Sequence, residues 1–323
     1  MKKPVLMLTR RWPEEVEINL LKHFEVVVNK DDIPLTQDAL KEAFCSYDAV
    51  LTTVTDRIDD NVLSADKLRT KLIGNFGVGF NHIDIKAAKT LGVVVTNTPD
   101  VVTNATADLT LALLLAAARR LGAGERHLRE GNWSGWRPTH MLGRDFSGRT
   151  LGIVGFGRIG QATARRAHHG FGMKIKIYSR SPVPSEILSL TNSEQLPCLD
   201  TLLSSVDFVS LHCPANNENT HMINLNRLRK MKPTAFLVNT ARGSLVNEKD
   251  LVTALDSGLI AGAGLDVFEA EPRIYPGLMK RRDVVLLPHL GSATIETRNA
   301  MGLRVLENAL AFFSGRQPPD RVV

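Results

Sequence analysis

The sequence predicts an α/β protein built from two doubly wound domains with parallel sheets, and three observations carry that prediction. At 323 residues the chain holds about two domains of the usual ~150 residues each. From residue 150 onward, short apolar runs alternate with segments of helical period, the rhythm of strand–helix–strand units that close into a parallel sheet. The first hundred residues repeat that rhythm more loosely, so a second, smaller α/β domain is implied.

In chain order, VLML, FEVVV, AVLTT, KLIGN and VVVTN are the strand candidates of the smaller domain. Asn97-Thr98-Pro99 closes the last of them, and a long helix around 106–120 leads onward. Its apolar stretch LTLALLLAAA falls short of the ~18 residues that a membrane span needs, so it reads as a buried helix and no membrane association is expected. Then come TLGIV, a helix from about Ile159, KIKIY, a polar stretch, VDFVSLH, a helix near 224–231, AFLVNT, a helix at 247–257 and VVLLPH. The tail from Ala293 to Phe313 is helical and amphipathic and is expected to return to the first domain. The boundaries predicted are therefore 1–100 plus 292–323 for the smaller domain and 101–291 for the larger, with the cleft between them as the default site.

Composition narrows the function classes. The chain is 43% hydrophobic and 23% charged, which fits a soluble globular protein. Cys45, Cys198 and Cys213 are widely spaced with no CxxC pair, so no disulfide framework and no metal site are expected, and a reduced, cytoplasmic setting fits. Arg10 and Arg11 interrupt the first apolar run too early for a secretory signal. The net charge of +6 is scattered over pairs such as Arg119-Arg120 and Arg165-Arg166 without interleaved aromatics, so nucleic acid is not expected as a partner.

TLGIVGFGRIGQATARRA places Gly155, Gly157 and Gly160 in G-x-G-x-x-G spacing, directly after a strand and before a helix. Gly155 permits the tight turn, Gly157 lets backbone approach a pyrophosphate, and Gly160 lets the helix lie close to the sheet with its positive N-terminus toward the phosphates. Phe156, Arg158 and Ile159 fill the remaining positions of this cofactor loop. In an NAD site an acid near the end of the next strand accepts hydrogen bonds from the ribose hydroxyls. Here that strand ends in Ser179-Arg180-Ser181, and no Asp or Glu occurs between Gly160 and Glu186. Two hydroxyls and a guanidinium fork suit a 2′-phosphate, so NADPH/NADP is predicted over NAD, and reduction is the expected direction.

Three further segments each end a predicted strand: VNTARGSLV, GLDVFEAEP and LLPHLGSAT, with Arg242, Asp266, Glu271 and His289 as their polar residues. Hydride transfer to a 2-keto acid needs a cation for the carboxylate, a proton donor for the carbonyl oxygen and a group that keeps the donor protonated; Arg, His and Glu supply these. His82, His168, His169, His212 and His221 have no comparable partners in the sequence and read as structural or surface residues.

With NFGVGFNHID at 75–84 and NTPDVVTNATADLTLALLL at 97–115, these segments resemble the D-isomer-specific 2-hydroxyacid dehydrogenase family over nearly the whole chain. GNWSGWRP at 131–138 is similar to its NADPH-dependent glyoxylate/hydroxypyruvate reductases. The resemblance implies a Rossmann cofactor domain and a flavodoxin-like substrate domain. It implies that Arg242 binds the carboxylate of a small anionic 2-keto acid, that His289 is the general acid and that Glu271 pairs with it, a neighbouring carboxylate favouring a charged imidazole. It further implies that the N–H groups of Val78 and Gly79 cradle the same carboxylate and that Asp266 lies near the nicotinamide carboxamide. Cys213, Pro214, Thr240 and Gly291 would line the cofactor, Val54 and Trp136 would wall the pocket, and Trp136 would reach into the partner's site of a homodimer.

Glyoxylate and hydroxypyruvate are the substrates so implied. Two rivals stay open. One is an NAD-linked relative acting on a larger acid such as 3-phosphoglycerate, against which stand the Ser-Arg-Ser strand end and a chain expected to carry no regulatory extension after Val323. The other is a dinucleotide-sensing corepressor, which would need partner-binding tails.

Overall fold

The computed structural model describes residues 2–65 and 67–323. The chain forms two compact units, one comprising the residues up to Val102 with Ala293–Val323, the other Thr103–Ser292.

The first unit is a five-stranded sheet of β1 (Val5–Leu8), β2 (Glu25–Val28), β3 (Ala49–Thr52), β4 (Leu72–Asn75) and β5 (Val94–Thr96). Its order is β2-β1-β3-β4-β5, every pair parallel, which is the flavodoxin-like arrangement. β3 and β4 are buried along their whole length, because helices cover both faces. The tail helix Ile295–Phe313 packs within this unit: Phe313 stacks obliquely on Phe24 at 5.6 Å, and Asn299 donates to Glu15.

The second unit has seven parallel strands: β6 (Thr150–Val154), β7 (Lys174–Tyr178), β8 (Ser193–Gln195), β9 (Phe208–Leu211), β10 (Phe236–Asn239), β11 (Gly262–Leu265) and β12 (Val284–Leu286). The order β12-β11-β10-β9-β6-β7-β8 is that of a Rossmann sheet with one added strand. The direction of winding reverses at β6, so the crevice outside the carboxyl ends of β6 and β9 is the position where such sheets bind ligands. Fully buried side chains such as Phe208 sit in the core beneath, each worth about 2–3 kcal/mol of burial.

Two elements differ from expectation. The polar stretch after KIKIY contains the strand Ser193–Gln195, which pairs only with β7 at the sheet edge; an edge strand open to water has no need of an apolar pattern. The long helix expected around 106–120 is Thr103–Ala118, and Arg120 in left-handed conformation (φ 56°) separates it from a second helix, Leu121–Arg129. No helix of the described residues is long and apolar enough to cross a membrane.

Candidate active site

β6 runs into the glycine loop. Gly155 has φ +91°, and a Cβ there would lie 2.7 Å from the Cys213 backbone nitrogen, so side chains are excluded twice over. A Cβ on Gly160 would meet the Gly155 carbonyl oxygen at 2.4 Å, which is how closely the helix Arg158–Phe171 approaches the turn. At Gly157 a Cβ would meet nothing within 4 Å; backbone there fronts open space at a helix N-terminus. Phe156 is buried, Arg158 and Ile159 open the helix, and the loop offers an anion backbone rather than side chains. This geometry fits a dinucleotide pyrophosphate.

At the end of β7, Gln195 Nε2 donates to the carbonyls of Ser179 (3.4 Å) and Ser181 (3.1 Å), fixing the Ser-Arg-Ser backbone. Arg180 is not free at this strand end, because its Nη1 lies 3.3 Å from Glu218 Oε2. After β9, burial pushes the Cys213 thiol up to about 11 against the opposing charge of Arg180, and Pro214 O accepts from Asn219 Nδ2 at 2.9 Å. Burial also drives His212 down to about 3, with its Nε2 2.8 Å from Ser210 Oγ. Thr240 shares a hydroxyl hydrogen bond with Thr110 at 2.8 Å.

The loops after β10, β11 and β12 assemble the charged groups. Asn239 folds the first of them: its Oδ1 accepts from Ala241 N at 3.0 Å and its Nδ2 donates to Arg242 O at 2.8 Å. Arg242 is half-buried and donates to Ala241 O at 2.6 Å; burial lowers its pKa while the charge of Glu271 pulls the other way. Glu271 Oε1 accepts from Phe268 N at 2.9 Å and Oε2 lies 2.8 Å from His289 Nδ1. Burial works against the Glu271 charge, but the hydrogen bond and charge of His289, the Phe268 N–H and Arg242 outweigh it and hold the carboxyl below its usual range. An ionised Glu271 is acceptor-only, so Nδ1 carries the proton of this hydrogen bond and Nε2 points away from it.

His289 occupies the left-handed region (φ 55°), a strained place for this residue. Asp266, fully buried, holds it there: its carbonyl accepts from His289 N at 2.9 Å, and its two carboxylate oxygens accept from Leu290 N (2.6 Å) and Gly291 N (2.8 Å). Burial raises the Asp266 pKa against these hydrogen bonds and the charge of His289. Thr106 Oγ1 donates to Gly291 O at 3.0 Å and pins the far side of the turn.

Two residues passed over in the sequence shape this edge. Buried Glu248 accepts from Glu269 N (2.8 Å) and Tyr275 N (3.2 Å), clamping the loop on both sides of Glu271. At the start of a helix it reads from sequence as an ordinary first-turn acid. Gly243 allows the Arg242 loop to touch the Glu271 loop, since a Cβ there would fall 1.9 Å from the Phe268 carbonyl carbon. Gly243→Ala must push the two loops apart and is expected to cost about 1–3 kcal/mol of stability, read as a lower denaturation midpoint. A midpoint equal to that of the wild type would contradict this packing. His221, read from sequence as a structural or surface residue, is paired with Glu269 and lies 3.5 Å from Asn247, a contact between loops that local sequence does not announce.

In the first unit, Asn75 Nδ2 donates to Gly77 O (2.9 Å) and Gly79 O (3.0 Å), and Asn97 Nδ2 donates to Val78 O (2.9 Å). A trans peptide directs its N–H opposite to its C=O, so the Gly79 N–H faces away from Asn97. Val54 is partly exposed in this unit. In the second unit, Trp136 is 82% exposed, on a segment where Leu128, Trp133 and Leu142 are also exposed.

Residues 111–291 match the family described as D-isomer specific 2-hydroxyacid dehydrogenase, NAD binding domain. A glyoxylate reductase of Thermococcus onnurineus is 48% identical over 324 residues, covering 99% of this chain and 96% of that protein. Among solved structures, a protein from Thermus thermophilus superposes with TM-score 0.91 at 42% identity, covering 99% of this chain and 100% of the other. An NADPH-dependent glyoxylate/hydroxypyruvate reductase from Sinorhizobium meliloti, solved with NADP and malonate, gives 0.88 at 34% identity, covering 100% and 97%. A glycine loop backed by β9, an Arg–Glu–His edge on three successive strands, and these matches along the whole chain agree: the chain belongs to the D-isomer specific 2-hydroxyacid dehydrogenase family.

Proposed function

We propose that this chain is an NADPH-dependent reductase of small 2-keto acids, taking glyoxylate to glycolate and hydroxypyruvate to D-glycerate. The observation that carries the reading is the 2.8 Å pair of Glu271 with His289 on the sheet edge that also bears Arg242. The names of the relatives above point to the same substrates.

When bound, NADPH supplies the hydride. The backbone of Gly155, Phe156, Gly157, Arg158, Ile159 and Gly160 would hold its pyrophosphate, and Ser179, Arg180 and Ser181 its 2′-phosphate. Cys213, Pro214, Thr240 and Gly291 would line it, with Asp266 toward the carboxamide. Arg242 binds the substrate carboxylate and fixes the keto group, with Val54, Val78 and Gly79 as the first unit's substrate contacts. As negative charge grows on the carbonyl oxygen, His289 Nε2 delivers its proton, and Glu271 stabilises the imidazolium that gives it. In this reading residues 101–291 are the dinucleotide-binding domain, and 1–100 with 292–323 the substrate domain, of a cytoplasmic homodimer. The exposed apolar side chains around Trp136 supply surface for the partner, and light scattering of the purified protein should give twice the chain mass.

The deciding experiment is initial rates of nicotinamide oxidation with glyoxylate and hydroxypyruvate, each against NADPH and NADH. Turnover with a clear NADPH preference is expected. An NADH preference would overturn the cofactor reading, and no turnover with either keto acid would overturn the substrate.

A further inference from the structure

We propose that Glu218 sets how strongly this chain selects a 2′-phosphorylated dinucleotide, by competing with that phosphate for Arg180. The inference rests on the reading that Ser179-Arg180-Ser181 receives the adenosine end of NADPH.

The strand that normally brings an acid to the ribose, β7, ends without one, and the fold delivers one from elsewhere. Glu218 arrives on the loop after β9 and places Oε2 3.3 Å from Arg180 Nη1, with both side chains exposed. Both partners sit on ordered backbone. Gln195 fixes the carbonyls on either side of Arg180. Around Glu218, Asn219 N donates to Asn216 Oδ1 at 2.9 Å and Asn219 Nδ2 to Pro214 O at 2.9 Å, so the turn is closed on itself. The β9 loop also abuts the phosphate loop, since a Cβ on Gly155 would touch the His212 and Cys213 backbone. Phosphate loop, Ser-Arg-Ser and Glu218 therefore belong to one crevice.

Electrostatics then assigns the role. An exposed ion pair is weakly held, so an incoming phosphate can take Arg180 from Glu218. The displaced carboxylate remains on a turn anchored next to Arg180, so its charge repels a phosphate bound there, most strongly at low salt. Toward a cofactor with a 2′-hydroxyl the same carboxylate is an acceptor, the part played elsewhere by an acid at the strand end. Glu218 thus moderates the phosphate preference and leaves room for NADH.

The test is calorimetric binding, without substrate, of adenosine 2′,5′-bisphosphate and 5′-AMP to the wild type, Glu218→Gln and Arg180→Gln. Glu218→Gln is expected to bind the bisphosphate about 3- to 10-fold tighter at low salt, with the gain shrinking as salt rises, while 5′-AMP binding is not strengthened. Arg180→Gln should lose the preference for the bisphosphate. If the wild type prefers the bisphosphate but Glu218→Gln leaves the ratio unchanged, or tightens both probes equally, the role of Glu218 is overturned and the NADPH reading stands. If the wild type binds both probes equally and Arg180→Gln changes nothing, the NADPH reading is overturned and this inference with it.

Discussion

Replacing His289 with Ala is expected to lower kcat by about 10²–10⁴-fold, the usual worth of a positioned general acid, while NADPH affinity changes little. The split between kcat and cofactor binding is the informative part, because Ala removes the side-chain hydrogen bond to Glu271 but retains the backbone N–H to Asp266 that anchors the Leu290–Gly291 turn. Turnover near that of the wild type would remove His289 from the mechanism. The same variant has an electrostatic signature. Glu271 is held below its usual range, against its own burial, mainly by the His289 hydrogen bond and charge, so its pKa should rise in His289→Ala. A carboxylate with a depressed folded pKa contributes stability above its unfolded value and loses it as pH falls through the folded one. The stability gap between wild type and variant should therefore narrow as the solution is taken below the ordinary carboxylate range; a carbon-13 titration of Glu271 that does not move would contradict the pairing.

Arg242→Gln is the second large effect. The side chain is half-buried, and removing one partner of a desolvated charge pair costs about 2–5 kcal/mol, or roughly 30- to 4,000-fold in kcat/KM. Arg242→Lys keeps the charge but not the planar fork, so it should recover only part of that loss. Full recovery by Lys would mean that charge alone, without bidentate geometry, suffices. Equal loss with a neutral aldehyde lacking the carboxylate would show that Arg242 acts on something other than the substrate's anion.

What the sequence revealed and what it hid divides by range along the chain. The glycine loop, the buried strands and the order Arg242, Glu271, His289 were legible because each is a local pattern attached to a strand end. The strand Ser193–Gln195 was not, because an edge strand carries no apolar code. The pairs Arg180–Glu218 and His221–Glu269 join residues 38 and 48 positions apart, on loops that only the sheet order brings together. Glu248 was hidden differently: an acid at the start of a helix has a sufficient local explanation, so nothing invited a second one.

The Arg242, Glu271 and His289 loops, and the Asp266 that braces the last of them, all belong to the unit Thr103–Ser292, whereas Val54, Val78 and Gly79 belong to the other. On the proposed roles, the contacts that shape the keto acid's side chain and the groups that hold its carboxylate and deliver the proton would be encoded in different stretches of sequence. In that reading a lineage could remodel the loops around Val54 and Val78 to admit bulkier or more polar keto acids, one substitution at a time, while the Glu271–His289 pair and the turn that strains His289 are inherited as a finished module.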